Sequence, residues 1–516
     1  MNEELNRALD QISDEHIREA ACHRKSRRAW WIGSIAAALA MVICWCAVWG
    51  ELGAFSDPTQ PTIVGSNTDP TSDPSRPTIS GTEPPVLQPG HPQDPGMLQL
   101  TNLVASPAYP KMPICPVYDE YTNKTEYYND LSTWQRERRL HYQQFSASTG
   151  NLADFFQRSI QEFLSGDENR AYSPMNLYLG LAMLAETADG DSRQQILDLL
   201  GADSIDELRA QAAAIWNMLY CDDGQTTSLL ANSLWLDEAY QFKDNTIQTL
   251  ADSYYASVFH GDLGTDEMNE QLRTWIDSQT GGLLEQYTKK LTLSEDSVFA
   301  LASTVYFKAG WDGGFSKKNT TEGVFHCKDH DLTTQFMNKT ITEGIYYWGE
   351  DFSAVRLALD GGNAMWLILP DEDKTMEDVL ASGEYLDMTR NPAAWENRKK
   401  IKINLSMPKF DVSSKADLID GMKRLGVTDV FDFSHSDFTP ITDTDELAVT
   451  KVEQAVRVAI DEEGVVAAAY IVMDIECGMV PSFPDDEIDF TLDRPFLFLV
   501  SGRGTLPLFT GVVEQP

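Results

Sequence analysis

Glu462-Glu463-Gly464-Val465-Val466-Ala467-Ala468-Ala469-Tyr470 is an unusual run. Two carboxylates lead into a glycine, and the side chains that follow are too small and uniform to anchor a core. Beyond them the residues alternate. Val465, Ala467, Ala469, Ile471, Met473 and Ile475 share one parity and are all apolar, while the other parity ends in Tyr470, Val472, Asp474 and Glu476. A period of two marks a half-buried strand. The pattern runs into Glu476-Cys477-Gly478-Met479-Val480-Pro481-Ser482-Phe483-Pro484-Asp485-Asp486-Glu487, whose Gly and Pro residues favour a loop. Strand character on a long loop describes a segment that can be a loop in one state and a strand in another. The chain then enters Asp493-Arg494-Pro495-Phe496-Leu497-Phe498-Leu499-Val500, an apolar run with the look of a buried strand.

Upstream the patterns are mixed. Leu152, Phe155, Phe156, Ile160 and Phe163 fall at helical spacing and predict a helix over 152–163. Helical patterns continue over 176–187 and 192–200, and a short helix closes at 422–425 before Gly426. The segments 299–307, 364–369 and 401–407 read as strands. Helices predominate early and strands late, which is an α+β pattern and not a βαβ repeat. Ser173-Pro174 ahead of an apolar helix reads as a helix start, with Ser173 near the N-cap.

Motifs across the last 370 or so residues, taken in order, resemble the serpins. Asn169-Arg170-Ala171-Tyr172-Ser173-Pro174 is similar to that family's entry to an early helix, and Ala231-Asn232-Ser233-Leu234-Trp235 to one of its strands. Trp275-Ile276-Asp277-Ser278-Gln279-Thr280-Gly281-Gly282 is similar to a helix end. Thr304-Val305-Tyr306-Phe307-Lys308-Ala309-Gly310-Trp311 is similar to a strand of the central sheet. Met407-Pro408-Lys409-Phe410, Leu425-Gly426-Val427 and Leu508-Phe509-Thr510-Gly511 complete the series. No one motif is specific, but the ordered set is.

The resemblance implies an α+β fold over residues 145–516, with a large central β-sheet, surrounding helices and a mobile reactive-centre loop. It implies an inhibitor of serine proteases with no catalytic group of its own, acting as a suicide substrate through a covalent acyl complex. The hinge would be Glu462, Glu463, Gly464, Val465, Val466, Ala467, Ala468 and Ala469. Counting fourteen residues on from Gly464, the scissile bond would be Gly478–Met479, in a window bounded by Cys477 and Val480. No Lys or Arg precedes the cut in that window, so a shallow apolar specificity pocket is expected, elastase-like first and subtilisin-like next. At the top of the sheet Glu462 should face Lys409 near Trp311, with Ser173, Gln454 and Ser303 at the sheet opening. The chain also departs from the family. Gln454 stands where His is usual, Ser303 where Asn is usual and Val465 where Thr is usual. The first two departures remove usual members of the hydrogen-bond network at the opening. The alternative function on the same fold is a non-inhibitory binding or carrier protein, in which a charge or Pro in the hinge would be more typical.

The other end carries a second signal. Residues 29–50 hold no charge and are long enough to span a bilayer as a helix. Trp30 and Trp31 lie at one end, Trp45 and Trp49 at the other, as in interfacial belts. His23-Arg24-Lys25-Ser26-Arg27-Arg28 precedes the span, and Glu51 and Asp57 follow it. The positive-inside rule then puts residues 1–28 in the cytosol and the remainder outside the cell membrane. A cleaved signal peptide is the alternative, but the charged leader and apolar run are both long for one. Such an anchor suggests a serpin of bacterial type, tethered to the lipid bilayer. Residues 51–96, rich in Pro, Thr, Ser and Asp, have the composition of a disordered linker. Residues 97–144 hold Tyr118, Tyr121, Tyr127, Tyr128 and Trp134 and are expected to pack on the domain as an N-terminal extension.

Composition is consistent with this. Hydrophobic residues make up 42% and aromatic residues 10%, globular values. A net charge of −39 argues against nucleic acid as a partner. The seven cysteines form no paired spacing for a disulfide framework or zinc. His326-Cys327-Lys328-Asp329-His330-Asp331 reads as a polar turn between strands, not a metal site. No nucleophile elbow, HExxH, P-loop or dinucleotide fingerprint occurs. A monomer with no cofactor and no metal is expected.

Overall fold

A computed structural model describes residues 102–465 and 486–516, apart from 108 and 146. The apolar span 29–50, the linker 51–96, Val466 to Ala469 of the hinge and the expected scissile bond Gly478–Met479 lie outside the described residues. No helix among the described residues is long and apolar enough to cross a membrane.

Eight strands build the central sheet: β1 (Leu103–Ala105), β2 (Cys221–Asp222), β3 (Thr226–Asp237), β4 (Ala256–Gly261), β5 (Phe299–Gly310), β6 (Phe410–Asp417), β7 (Glu453–Ile460) and β8 (Gly464–Val465). Their spatial order is β1-β4-β3-β5-β8-β7-β6, with β2 paired to β3. The β3/β4 pair is parallel; its neighbours are antiparallel. A second, nine-stranded sheet includes Arg398–Pro408, Asp331–Trp348, Phe352–Leu359, Asn363–Pro370, Phe496–Ser501 and Pro507–Val513. Phe496–Ser501 is buried at every position, as a continuous apolar run between layers requires.

The helices follow their sequence signals. The helix expected over 152–163 spans Leu152–Leu164, and that expected over 176–187 spans Pro174–Thr187. The second starts early because Ser173 Oγ accepts the Asn176 N–H at 3.3 Å and Pro174 needs no donor there. It is buried on almost every side, which explains its weak amphipathicity. The strand expected over 299–307 runs on to Gly310, beyond Lys308. His326 pairs with Asp331 across a tight connection, and His326 Nδ1 lies 2.8 Å from Asp331 Oδ1. No group of side chains able to hold a metal ion is found among the described residues. Cys115, Cys221 and Cys327 are not joined in disulfides.

Residues before the domain pack on it. β1 extends the central sheet past β4. Tyr109 stacks among Trp216, Tyr220 and Tyr255. The helix Lys124–Gln143 brings Arg138 to Asp223, 3.0 Å away and wholly buried. The Tyr142 hydroxyl donates to the Tyr220 carbonyl at 3.0 Å, and the Arg503 guanidinium lies 3.5 Å from the centre of the Tyr142 ring. Tyr109 and Tyr142 thus find partners far away in sequence, whereas Tyr118, Tyr121, Tyr127 and Tyr128 correct the expectation: they pack edge to face on one another within the segment.

Candidate functional site: the hinge and the sheet opening

The hinge is held by a turn and by the strand end beside it. Asp461 Oδ1 accepts the N–H groups of Glu463 at 2.8 Å and Gly464 at 3.3 Å, an aspartate turn that aims the chain at β5. The Trp311 indole N–H donates to the Asp461 carbonyl at 2.8 Å. The backbone N–H groups of Trp311 and Phe315 donate to the carbonyls of Glu463 and Glu462. Glu462 is only 5% exposed; its Oε1 lies 2.8 Å from Lys409 Nζ and accepts from the Thr320 hydroxyl at 2.7 Å. Burial disfavours its charge, but the hydrogen bonds from Lys409 and Thr320 outweigh that and hold its pKa below the usual carboxylate value. Glu463 reaches Lys317 at 2.9 Å at the surface.

Gly464 and Val465 then form β8, opposite Gly310 and Ala309 on one side, with Val465 opposite Ile460 on the other. A Cβ on Gly464 would collide with the Ala309 carbonyl, so glycine is required at this approach. Val465 is 2% exposed and turns its side chain inward. Gly310 is in turn close to Asp360, whose carboxyl burial pushes up to about 6.

Below this point the two long strands are not joined. Among the described residues, β5 pairs on this side only with Gly464 and Val465, and β7 reaches β5 only through them. A cavity of about 120 Å³ lies between them, lined by Val305 and Phe307 of β5, Val456 and Val458 of β7, and Val465 at its top.

One polar network crosses the opening. Gln454 Oε1 accepts the Ser173 N–H at 3.0 Å, and Gln454 Nε2 donates to the Ser173 carbonyl at 3.0 Å and to Asn176 Oδ1 at 3.1 Å. Asn176 Nδ2 donates to Ser303 Oγ at 3.1 Å, and the Ser173 hydroxyl donates to the Leu508 carbonyl at 2.7 Å. Gln454 on β7 is thereby linked to Ser303 on β5 through Asn176. The departures at 454 and 303 therefore correct the expectation of a depleted network: an amide offers both a donor and an acceptor, and it closes onto backbone atoms. Gln454→Ala should leave the buried Ser173 N–H without its partner, while the Ser173 carbonyl keeps the Leu177 N–H. At roughly 1–3 kcal/mol for a buried unsatisfied group, it should lower native stability by about that amount. Equilibrium urea unfolding reads this as a lower midpoint at unchanged slope. An unchanged midpoint would mean the network does not hold the sheet shut.

The structure thus brings Glu462, Lys409 and Trp311 together at the top of the opening, and Ser173, Gln454 and Ser303 in its middle. Asn176, Asp461, Thr320 and Phe315 belong to the same site and were not picked out from sequence. Phe315 acts through its backbone N–H, Asp461 through both its carboxylate and its backbone carbonyl, and Asn176 lies on a helix face like any other polar residue there. No local pattern marks them.

Comparison with known proteins places these features. The family profile described as Serpin (serine protease inhibitor) matches residues 150–516. Alpha-1-antiproteinase 2 of Equus caballus is 29% identical over 378 residues, 71% of this chain and 86% of that protein. Neuroserpin of Homo sapiens is 28% identical over 365 residues, 68% of this chain and 87% of that protein. Among solved structures, the thermophilic serpin tengpin in its native state is similar with a TM-score of 0.63 at 24% identity, over 73% of this chain and 98% of that one. At that identity the likeness concerns the fold alone.

Proposed function

The chain belongs to the serpin family, and from that premise we propose that it inhibits serine proteases as a suicide substrate, with the loop that follows Val465 as bait. The protease serine would attack the scissile carbonyl at Gly478–Met479. The peptide C–N bond breaks, the new amine end leaves with residues 479–516, and an ester joins residue 478 to the enzyme. Chain 466–475 then enters between β5 and β7 and carries the enzyme along before water completes hydrolysis.

The observation that carries this reading is the seating of Gly464 and Val465 as a short strand between β5 and β7, above a cavity that no described residue fills. Continued in that register, Val466 falls opposite Lys308 and Ile475 opposite Phe299, the first residue of β5. Gly464 to Ile475 is twelve residues, and β5 is twelve residues long. The apolar parity ends where the strand beside it ends. Ala467 would lie between Phe307 and Val458, and Ala469 between Val305 and Val456, in both cases on the inner face. Burying the five apolar side chains that follow Val465 on this parity, two of them alanines, contributes on the order of 10 kcal/mol. That rivals the stability of an ordinary domain and supports mechanical distortion of a bound enzyme. A carrier function would make no use of this matched, charge-free inner face.

The test is incubation with an elastase-like protease, followed by denaturing electrophoresis and mass spectrometry. A complex resistant to SDS and release of a small C-terminal peptide beginning within 478–480 are expected. Complete cleavage with no complex, or complex formation with trypsin alone, would contradict the assignment.

The location is the sequence's contribution to the proposal. The uncharged span 29–50 would hold a monomeric inhibitor on the outer face of a cell membrane, in a chain of bacterial type. The linker 51–96, if extended, would reach on the order of 120 Å from it. Deleting residues 1–50 should release a soluble protein with an unchanged inhibition rate. A folded but inactive product would mean that the tether does more than localise.

A further inference from the structure

A cavity of about 260 Å³ opens beside the hinge, against the Trp311–Phe315 segment. Trp311, Phe315 and Tyr347 give it an aromatic wall, each no more than 9% exposed. Two cations line it, Lys339 and Arg356. Among the described residues neither has a carboxylate within ion-pair distance. The Lys339 ammonium donates to the backbone carbonyls of Asp312 at 3.4 Å and of Gly313, and lies 5.5 Å from the centre of the Phe315 ring. Burial lowers its pKa and the nearby Asp312 only partly restores it. The other lining carboxylate, Glu343, is engaged by Lys400 at 3.0 Å.

We infer that this cavity binds a small organic carboxylate with a flat apolar body, its charge meeting Lys339 and Arg356 and its ring lying on Trp311, Phe315 and Tyr347. The volume is near the low end for ligand sites, which fits a single ring on a short chain. Guanidinium and ammonium groups favour carboxylates through charge-assisted hydrogen bonds, and both also favour aromatic faces. The site has a direct line to the hinge. Trp311 and Phe315 are the residues whose N–H groups hold the backbone carbonyls of Asp461, Glu462 and Glu463. A ligand that fits only while Trp311 and Phe315 keep these positions favours the uninserted state by its differential affinity, and slows insertion. This second step rests on the insertion reading above; the binding itself does not.

Isothermal titration calorimetry on the full chain separates the two. The probe is 4-phenylbutyrate, with its neutral amide as control. Saturable one-site binding of the carboxylate is expected, with the amide about tenfold weaker, since a hydrogen bond to a charged group is worth roughly that factor. Arg356→Gln, an exposed position, should weaken the carboxylate about tenfold as well, and Lys339→Met at least as much. No saturable heat up to about 10 mM, equal binding of the amide, or unchanged binding by Arg356→Gln would overturn the site. In a second arm, loop insertion on mild heating is followed on native gels with and without the probe. Slower conversion is expected; an unchanged rate at saturating probe would overturn the coupling while leaving the site. Failure to trap any protease would affect neither calorimetric result.

Discussion

Val465→Arg should turn the protein from an inhibitor into a substrate. Val465 is the first inward-facing residue of the inserting segment, 2% exposed and placed between Ala309 and Ile460, themselves buried. An arginine there must either bury its charge without a partner or pull β8 out of the sheet. Burying an unpaired charge costs several kcal/mol, and a barrier raised by ~3 kcal/mol slows insertion more than a hundredfold against deacylation. The enzyme then completes hydrolysis and leaves. Titration of protease against the variant should show many molecules cleaved for each one trapped. Val466→Arg, on the opposite parity and next to Lys308 in the continued register, should be far milder. Equal effects of the two would show that parity does not matter and that the loop does not enter as a strand.

Glu462→Lys should release the top of the sheet. The change removes the carboxylate that Lys409 and Thr320 share and places two ammonium groups together beside Trp311. Breaking one side of a buried pair costs about 3–5 kcal/mol, and less here because Lys409 is a third exposed. With the turn at Asp461–Gly464 loosened, the sheet can accept its own uncut loop or that of another copy. Mild heating should give loop–sheet polymers or a monomer of raised stability on native gels, at temperatures where the parent stays unchanged. Only unconverted monomer would mean that this pair is ornamental.

The charges at this end of the sheet also fix a pH dependence. Glu462 has a depressed pKa in the folded state, so its contribution is present above the ordinary carboxylate range and is lost as pH falls through the folded value. Asp360 acts in the opposite sense. Its folded pKa is raised to about 6, so its charge burdens the native state at neutral pH and the burden lifts as pH falls through 6. The native form should therefore be firmest in mildly acid solution and lose stability once the pH falls below the ordinary carboxylate range.

Much of this was open in the sequence because it is carried by pattern. The alternation from Val465 to Ile475, the glycine before it and the Ser-Pro helix start are local signals, and the ordered motifs set the fold around them. The Glu462–Lys409 contact followed from the resemblance. What stayed hidden depends on distant atoms. Gln454 looked like a lost histidine because its partners are the backbone N–H and carbonyl of Ser173, which no side-chain comparison reveals. Arg138 and Asp223 are 85 positions apart, and the polar helix that carries Arg138 has no apolar stripe to announce where it docks. The two cations of the cavity beside the hinge, Lys339 and Arg356, come from two different strands and are neighbours only in the folded sheet.

The central claim is that the segment after Val465 becomes a strand between β5 and β7. Amide hydrogen exchange, measured on the intact chain and after cleavage of the loop by an elastase, tests it directly. The facing edges of β5 from Ser303 to Lys308 and of β7 from Gln454 to Ala459 should exchange readily in the intact chain. After cleavage they should slow by orders of magnitude, together with the amides of residues 466–475. Unchanged exchange along both edges after complete cleavage would contradict the account.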